Sequence, residues 1–161
     1  VKLAGRVVAA LDLYPCELLV VHRDAEREPP ENRLREIAEA THGRPMPIVR
    51  AVPVRMTEAW LLFDEPAIRR AAGCPNGKMP LNLPALKSVE SVPDPKDVLH
   101  EALRVASNLS GRRRKQIHPD IRRIADLVDD YAPLRSVASF RAFEESLRDA
   151  LRELALLRDA G

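Results

Sequence analysis

Cysteine is scarce in this chain: Cys16 and Cys74 are the only two among 161 residues. Two thiols cannot staple a domain of this size, which excludes a small secreted disulfide scaffold and fits reduced cysteines in a cytoplasmic protein. Long hydrophobic runs are missing as well. No stretch approaches the roughly 18 uninterrupted apolar residues of a membrane span, and no basic start leads into an apolar run with a cleavage site. The six aromatics (Tyr14, Trp60, Phe63, Tyr131, Phe140 and Phe143) are too few for a base-stacking platform. Charge of one sign is not in large excess. The 26 basic and 24 acidic residues leave +2, so an anionic partner would have to be met through local patches rather than a general basic coat. No G-x-S-x-G, P-loop or G-x-G-x-x-G occurs, which leaves serine-hydrolase, P-loop and Rossmann readings without support. His42, His100 and His118 lack metal-ligand spacing to one another or to the cysteines, which argues against zinc.

What is present is the composition of a globular protein, 45% hydrophobic and 31% charged, long enough for one ordinary domain. Residues 1–14 place Leu3, Val7, Leu11 and Tyr14 at helical spacing, and Pro15 ends that helix. Residues 16–22 (CELLVVH) read as a strand covered on both faces. A helix from about Glu31, with Leu34, Ile37, Ala38 and Thr41 on one face, stops at Gly43. Residues 48–56 read as a second strand, with Pro53 demanding an edge or a bulge. Thr57 is expected to cap the next helix, and Asp64 the one that Pro66 starts. This alternation predicts an α/β fold, a parallel sheet with crossover helices. The proline-rich stretch 74–93 is a long irregular connection. Beyond it the chain turns helical, with one helix capped by Asp94-Pro95, a second carrying Ile121, Ile124, Ala125 and Val128, and a last one repeating Phe140, Phe143, Leu147, Leu151 and Leu154. The expected division is an α/β core over 1–93 and a helical C-terminal part over 94–161 packed on it.

The chemistry concentrates where the first strand ends. Asp24 and Glu26 stand two residues apart at the carboxyl end of a strand, the edge where open parallel sheets bind ligands. If the chain stays extended there, both carboxylates can aim at one hard cation such as Mg²⁺ or Mn²⁺; otherwise Asp24 caps a turn and Glu26 is solvated. Glu58 follows the second strand and would face the same crevice, or else is a first-turn acid favourable to the helix dipole. His22 is either a base or phosphate contact, with Arg23 beside it, or a structural histidine. Trp60 is core or crevice wall. Lys96 sits at a helix start where an ammonium and backbone N–H groups can hold a phosphate, and the run Arg112, Arg113, Arg114 and Lys115 is a candidate contact to a nucleic-acid backbone or a solvated turn.

These segments resemble a known family. Asp24-Ala25-Glu26-Arg27-Glu28 after an apolar strand resembles the D-x-D element of Toprim domains, found in topoisomerases, primases and overcoming-lysogenisation-defect type nucleases. The nearer likeness is to the Toprim-like family called domain of unknown function 4276, through H-R-D-A-E at 22–26, E-A-W-L-L-F-D at 58–64, P-D-P-K at 93–96 and F-x-x-F-x-x-x-L at 140–147. The resemblance runs from about residue 18 to 151. It implies a Mg²⁺-dependent nuclease that acts on nucleic acid in phage defence, with an ATPase as partner, with Asp24, Glu26 and Glu58 as metal and catalytic residues. The alternative is a non-catalytic Toprim-like interaction module or partner subunit. Two departures stand out: Glu26 occupies the second acid position, and the family's general acid or base Glu, carried on a strand before the first helix, has no counterpart after Val1. The expectation is a fragment whose first strand lies upstream.

Overall fold

The structure, a computed structural model, describes residues 2–109 and 121–156. Its sheet grows from the apolar run after Cys16. Strand β1 (Leu19–His22) passes through helix α2 (Pro30–Thr41), which helix α1 (Leu3–Leu13) precedes in sequence, to strand β2 (Ile48–Ala51). The two strands pair in parallel, Leu19 beside Ile48 through His22 beside Ala51. β-Branched Val20, Val21, Ile48 and Val49 suit that pleated pairing, and a parallel pair needs a crossover of the kind α2 provides. Pro30 opens α2 where a missing N–H costs nothing, and Gly43, at φ +72°, takes the left-handed turn after its end.

Several local expectations change in detail. β1 is covered on one face only: Val21 is buried, while Val20 is 52% exposed. Among the described residues the sheet has two strands, too few for a helix layer on each side of both. β2 stops at Ala51 instead of running to 56, because Pro53 has no N–H for the ladder; its carbonyl still accepts from Ala25 N–H at 2.9 Å. On α2 the buried residues are Ile37, Ala40 and Thr41. Ala38 is exposed, because it lies a full 100° step around the helix from Ile37 whereas Ala40 and Thr41 return to the same face. Tyr14 lies past the end of α1 and is 74% exposed.

The chain divides into two compact units, one of residues 1–54 with 138–161 and the other of residues 55–137. This boundary differs from the expected break at 93/94, because the last helix returns to the strands. In the first unit α1 packs on α2, and Val21, Ala25, Ile37 and Val52 form a core to which Leu3, Leu19, Leu34 and Ile48 add their partly buried side chains. The last described helix (Ala138–Glu153), α6 below, packs on β2. There the Ser146 hydroxyl oxygen accepts the Arg50 N–H at 3.1 Å, satisfying a strand-edge donor that no other strand among the described residues pairs. Phe140 and Phe143 on α6 meet edge-on, 6.0 Å between ring centroids.

In the second unit a 3₁₀ turn (Thr57–Leu61) leads to α3 (Glu65–Ala71), a second 3₁₀ turn (Leu86–Ser91), α4 (Pro95–Ala106), α5 (Ile121–Leu127) and a third 3₁₀ turn (Ala132–Ser136). Leu62, Ile68, Val89, Leu99, Ile124 and Leu134 are fully buried, each contributing about 1.5–3 kcal/mol of hydrophobic stabilisation. Two caps follow the sequence reading: Asp64 Oδ1 accepts from Ala67 N–H at 2.8 Å and Asp94 Oδ1 from Asp97 N–H at 2.9 Å. Thr57 departs from it. Met56 occupies the capping position without a side-chain bond, and Thr57 is the first residue of the 3₁₀ turn. No helix among the described residues is long and apolar enough to cross a membrane.

Candidate metal and phosphate site

The ladder between the strands continues past the end of β1, with Arg23 N–H on Ala51 O at 3.0 Å and then Ala25 N–H on Pro53 O. Ala25 is fully buried, so it pins the chain while its neighbours on either side project outward. The chain then turns: Glu28 N–H donates to Ala25 O at 3.0 Å, and Glu26 takes φ +57°. The extended backbone that would aim Asp24 and Glu26 the same way therefore ends at Ala25. A left-handed conformation at a residue with a Cβ is strained, and such strain is concentrated at functional sites.

Asp24 is held from one side. His22 Nε2 lies 3.1 Å from Asp24 Oδ1, and the two side chains are 47% and 29% exposed. Among the described residues no donor is placed on Asp24 Oδ2. Behind them stands an ion-pair network from α2. Glu36 receives Arg23 at 3.2 Å and Arg33 at 3.2 Å, and Arg33 also reaches Glu28 at 3.6 Å. Arg33 Nε donates to the Asp24 carbonyl at 3.3 Å, which fixes the backbone that carries the carboxylate. Sequence reasoning missed Arg33 and Glu36. The available signal was topological: a crossover helix that starts after β1 lays its first turns beside that strand's carboxyl end. Arg23, a candidate phosphate contact, is engaged by Glu36.

The remaining candidates stand on other elements or outside the described residues. Glu58, half-buried, stands on the 3₁₀ turn of the second unit. Trp60 is 7% exposed and belongs to that unit's core. Lys96 is exposed at the start of α4, where Asp94 already takes the Asp97 N–H and the two carboxylates compete with any phosphate. Arg112, Arg113, Arg114 and Lys115, like His118, lie outside the described residues. Among the described residues no three His, Cys, Asp or Glu side chains are grouped to hold a metal ion. A cleft of about 370 Å³ lies between the start of α2, β2 and α6, walled by Leu34, Val52, Val54 and Phe143 with Arg50 at its side; neither Asp24 nor Glu26 lines it. Cys16, exposed, and Cys74, half-buried, are both free thiols.

No family model, no curated protein and no solved structure matches the chain.

Proposed function

We propose that the carboxyl end of β1 is a site for Mg²⁺- or Mn²⁺-assisted phosphodiester hydrolysis, with nucleic acid as substrate, in a Toprim-like protein of the kind the domain of unknown function 4276 represents. The observation that carries this reading is Asp24: a carboxylate at the ligand-binding end of a parallel strand, with Oδ1 held by His22 and no donor among the described residues on Oδ2. The donor set suits the ion. Mg²⁺ is usually bound by one or two carboxylates together with waters and substrate phosphates rather than by a cage of protein ligands, so Asp24 is a sufficient protein donor, and Glu26, set in the turn rather than on an extended strand, would add to it only through the reach of its longer side chain. When bound, the ion would polarise the phosphoryl oxygen and lower the pKa of an attacking water. Asp24 would hold it, Glu26 would reach toward it from the turn, His22 would keep Asp24 oriented, and Arg33 would hold the Asp24 backbone carbonyl. An ATPase partner in phage defence belongs to this reading through the family likeness.

A second reading, a non-catalytic interaction module, is favoured by one observation: the left-handed turn at Glu26 replaces the extended backbone that would aim Asp24 and Glu26 at one ion. Incubation of the purified protein with labelled DNA, RNA and transfer RNA, with Mg²⁺, Mn²⁺ or chelator, separates the two. Metal-dependent cleavage lost in Asp24→Asn supports hydrolysis at this site. Cleavage that survives Asp24→Asn overturns the site, and a folded, inert wild type favours the interaction module.

A further inference from the structure

The second unit holds a thiol beside an incompletely satisfied guanidinium. After α3 the chain reverses through Cys74-Pro75-Asn76-Gly77, a turn closed by Gly77 N–H on Cys74 O at 3.0 Å. Arg69 on α3 lies against it. Its Nε and Nη2 donate to Glu65 Oε1 at 2.9 and 2.5 Å, and Nη2 also donates to Met79 O at 2.7 Å. The side chain is only 9% exposed, and its third nitrogen, Nη1, is buried with no hydrogen-bond partner. A buried charged donor left unsatisfied is costly, and native proteins keep few of them.

Gly77 shows where that donor faces. A Cβ built on it would lie 3.1 Å from Cys74 Sγ, 3.2 Å from Arg69 Nη1 and 3.2 Å from Cys74 O. One point beside Gly77 therefore lies against both the sulfur and the unsatisfied N–H group, closer than ordinary contact, so glycine is what lets the two stand around it without a neighbour giving way. The Glu65 carboxylate occupies the Nε and Nη2 edge of the guanidinium, so Nη1 is the edge turned to Cys74.

We infer that Cys74 is a peroxide-oxidisable cysteine, and that Arg69 Nη1 is the donor for the oxygen it acquires. The thiolate sulfur attacks one oxygen of hydrogen peroxide; the S–O bond forms as the O–O bond breaks. Sulfur gives up two electrons and becomes a sulfenic acid, and the departing hydroxide takes a proton from solvent and leaves as water. Negative charge moves from sulfur toward oxygen in the place that Nη1 faces, so the donor lacking a partner in the reduced protein gains one in the oxidised protein. Cys16, more exposed and in the other unit, is the internal comparison.

The test exposes the whole chain to hydrogen peroxide, traps sulfenic acid with dimedone and maps the adducts by peptide mass. Cys74 is expected to label about tenfold faster than Cys16, the size of one hydrogen bond to a charged group, although exposure alone favours Cys16. Gly77→Ala places a methyl 3.1–3.2 Å from Cys74 and Arg69 Nη1, so that these must give way; checked for folding by its melting curve, it should bring Cys74 down to the rate of Cys16 without changing Cys16. Arg69→Met, checked for folding by its melting curve, should do the same. Equal or faster labelling of Cys16 in the wild type overturns the inference. So does a Cys74 rate unchanged in Gly77→Ala.

Discussion

His22 and Asp24 face each other at 3.1 Å, Nε2 to Oδ1, across one intervening residue whose side chain points away: Arg23 reaches instead to Glu36 on α2 at 3.2 Å. Strand alternation accounts for this separation, since positions i and i+2 share a face and i+1 takes the other. Two functions are thereby parted at the end of β1. The face with Asp24 presents an oriented carboxylate to solvent, and the face with Arg23 is bound into the network that ties the strand end to α2.

The first prediction concerns metal. An ion that binds the folded chain and not the unfolded one stabilises it by mass action, about 1.4 kcal/mol at ten times its dissociation constant, which is roughly 3–5 °C in melting temperature for a protein of this size. Melting curves with Mg²⁺ or Mn²⁺ should show this shift for the wild type and lose it in Asp24→Asn. His22→Ala should reduce it without abolishing it, because the ligand remains and only its orientation is freed. An equal shift in Asp24→Asn would mean that the ion binds elsewhere.

Glu26 gives the second. Its φ of +57° places a side-chain-bearing residue where the left-handed conformation costs roughly 1–2 kcal/mol. Glycine carries no such penalty but loses more chain entropy on folding, so Glu26→Gly should stabilise the protein by about 1 kcal/mol in urea unfolding. The same variant should show a smaller metal shift. A residue that costs stability and contributes binding is what a functional position predicts; loss of stability with the metal shift intact would make Glu26 a purely structural turn residue.

How much of this was legible follows from the range of the forces involved. The strand, helix, strand order came from local signals: consecutive Val20-Val21, Pro29-Pro30 at a helix entry, Gly43 at its exit, and Asp64 and Asp94 as caps. The exposure of Val20 was not legible, since an apolar run looks the same whether one face or two are covered. The turn at Glu26 carries no Gly or Asn to announce it. The placement of Arg33 and Glu36 beside Asp24 depends on the crossover, and the return of α6 to β2 on a contact 96 residues apart in sequence, Arg50 to Ser146. Asp24 and His22 could be read as candidates because their proximity is local; the residues that hold them came from the fold.

That long-range contact yields the third prediction. Ser146→Ala removes the oxygen that accepts the Arg50 N–H at the outer edge of β2. Water reaches this edge, so the loss should fall near the low end of a hydrogen bond's net worth, about 0.5–1 kcal/mol. Ser146→Thr keeps the hydroxyl and should restore most of it. If both variants lose the same stability, the effect comes from packing of α6 and not from the hydrogen bond.

The fourth prediction is a pH dependence in the second unit. Burial, followed by the negative charges of Asp126 and Asp64, pushes the Tyr131 phenol above its usual value of 10.0. Its hydroxyl donates to Ala125 O at 2.8 Å and its ring lies 6.4 Å from that of Phe63. A phenol that holds its proton more tightly when folded stabilises the native state fully below the unfolded value, and that contribution is lost as pH rises through the folded value. The unfolded chain ionises first, and the slope of stability with pH turns negative there. The readout is the difference between wild type and Tyr131→Phe, which isolates the contribution of this one phenol. Near neutral pH the variant should be about 1 kcal/mol less stable through the missing hydrogen bond. That gap should hold to about pH 10 and narrow above it, because only the wild type carries the phenol whose ionisation favours the unfolded chain. A gap that stays constant or widens above pH 10 would show that the environment of Tyr131 does not favour the protonated phenol.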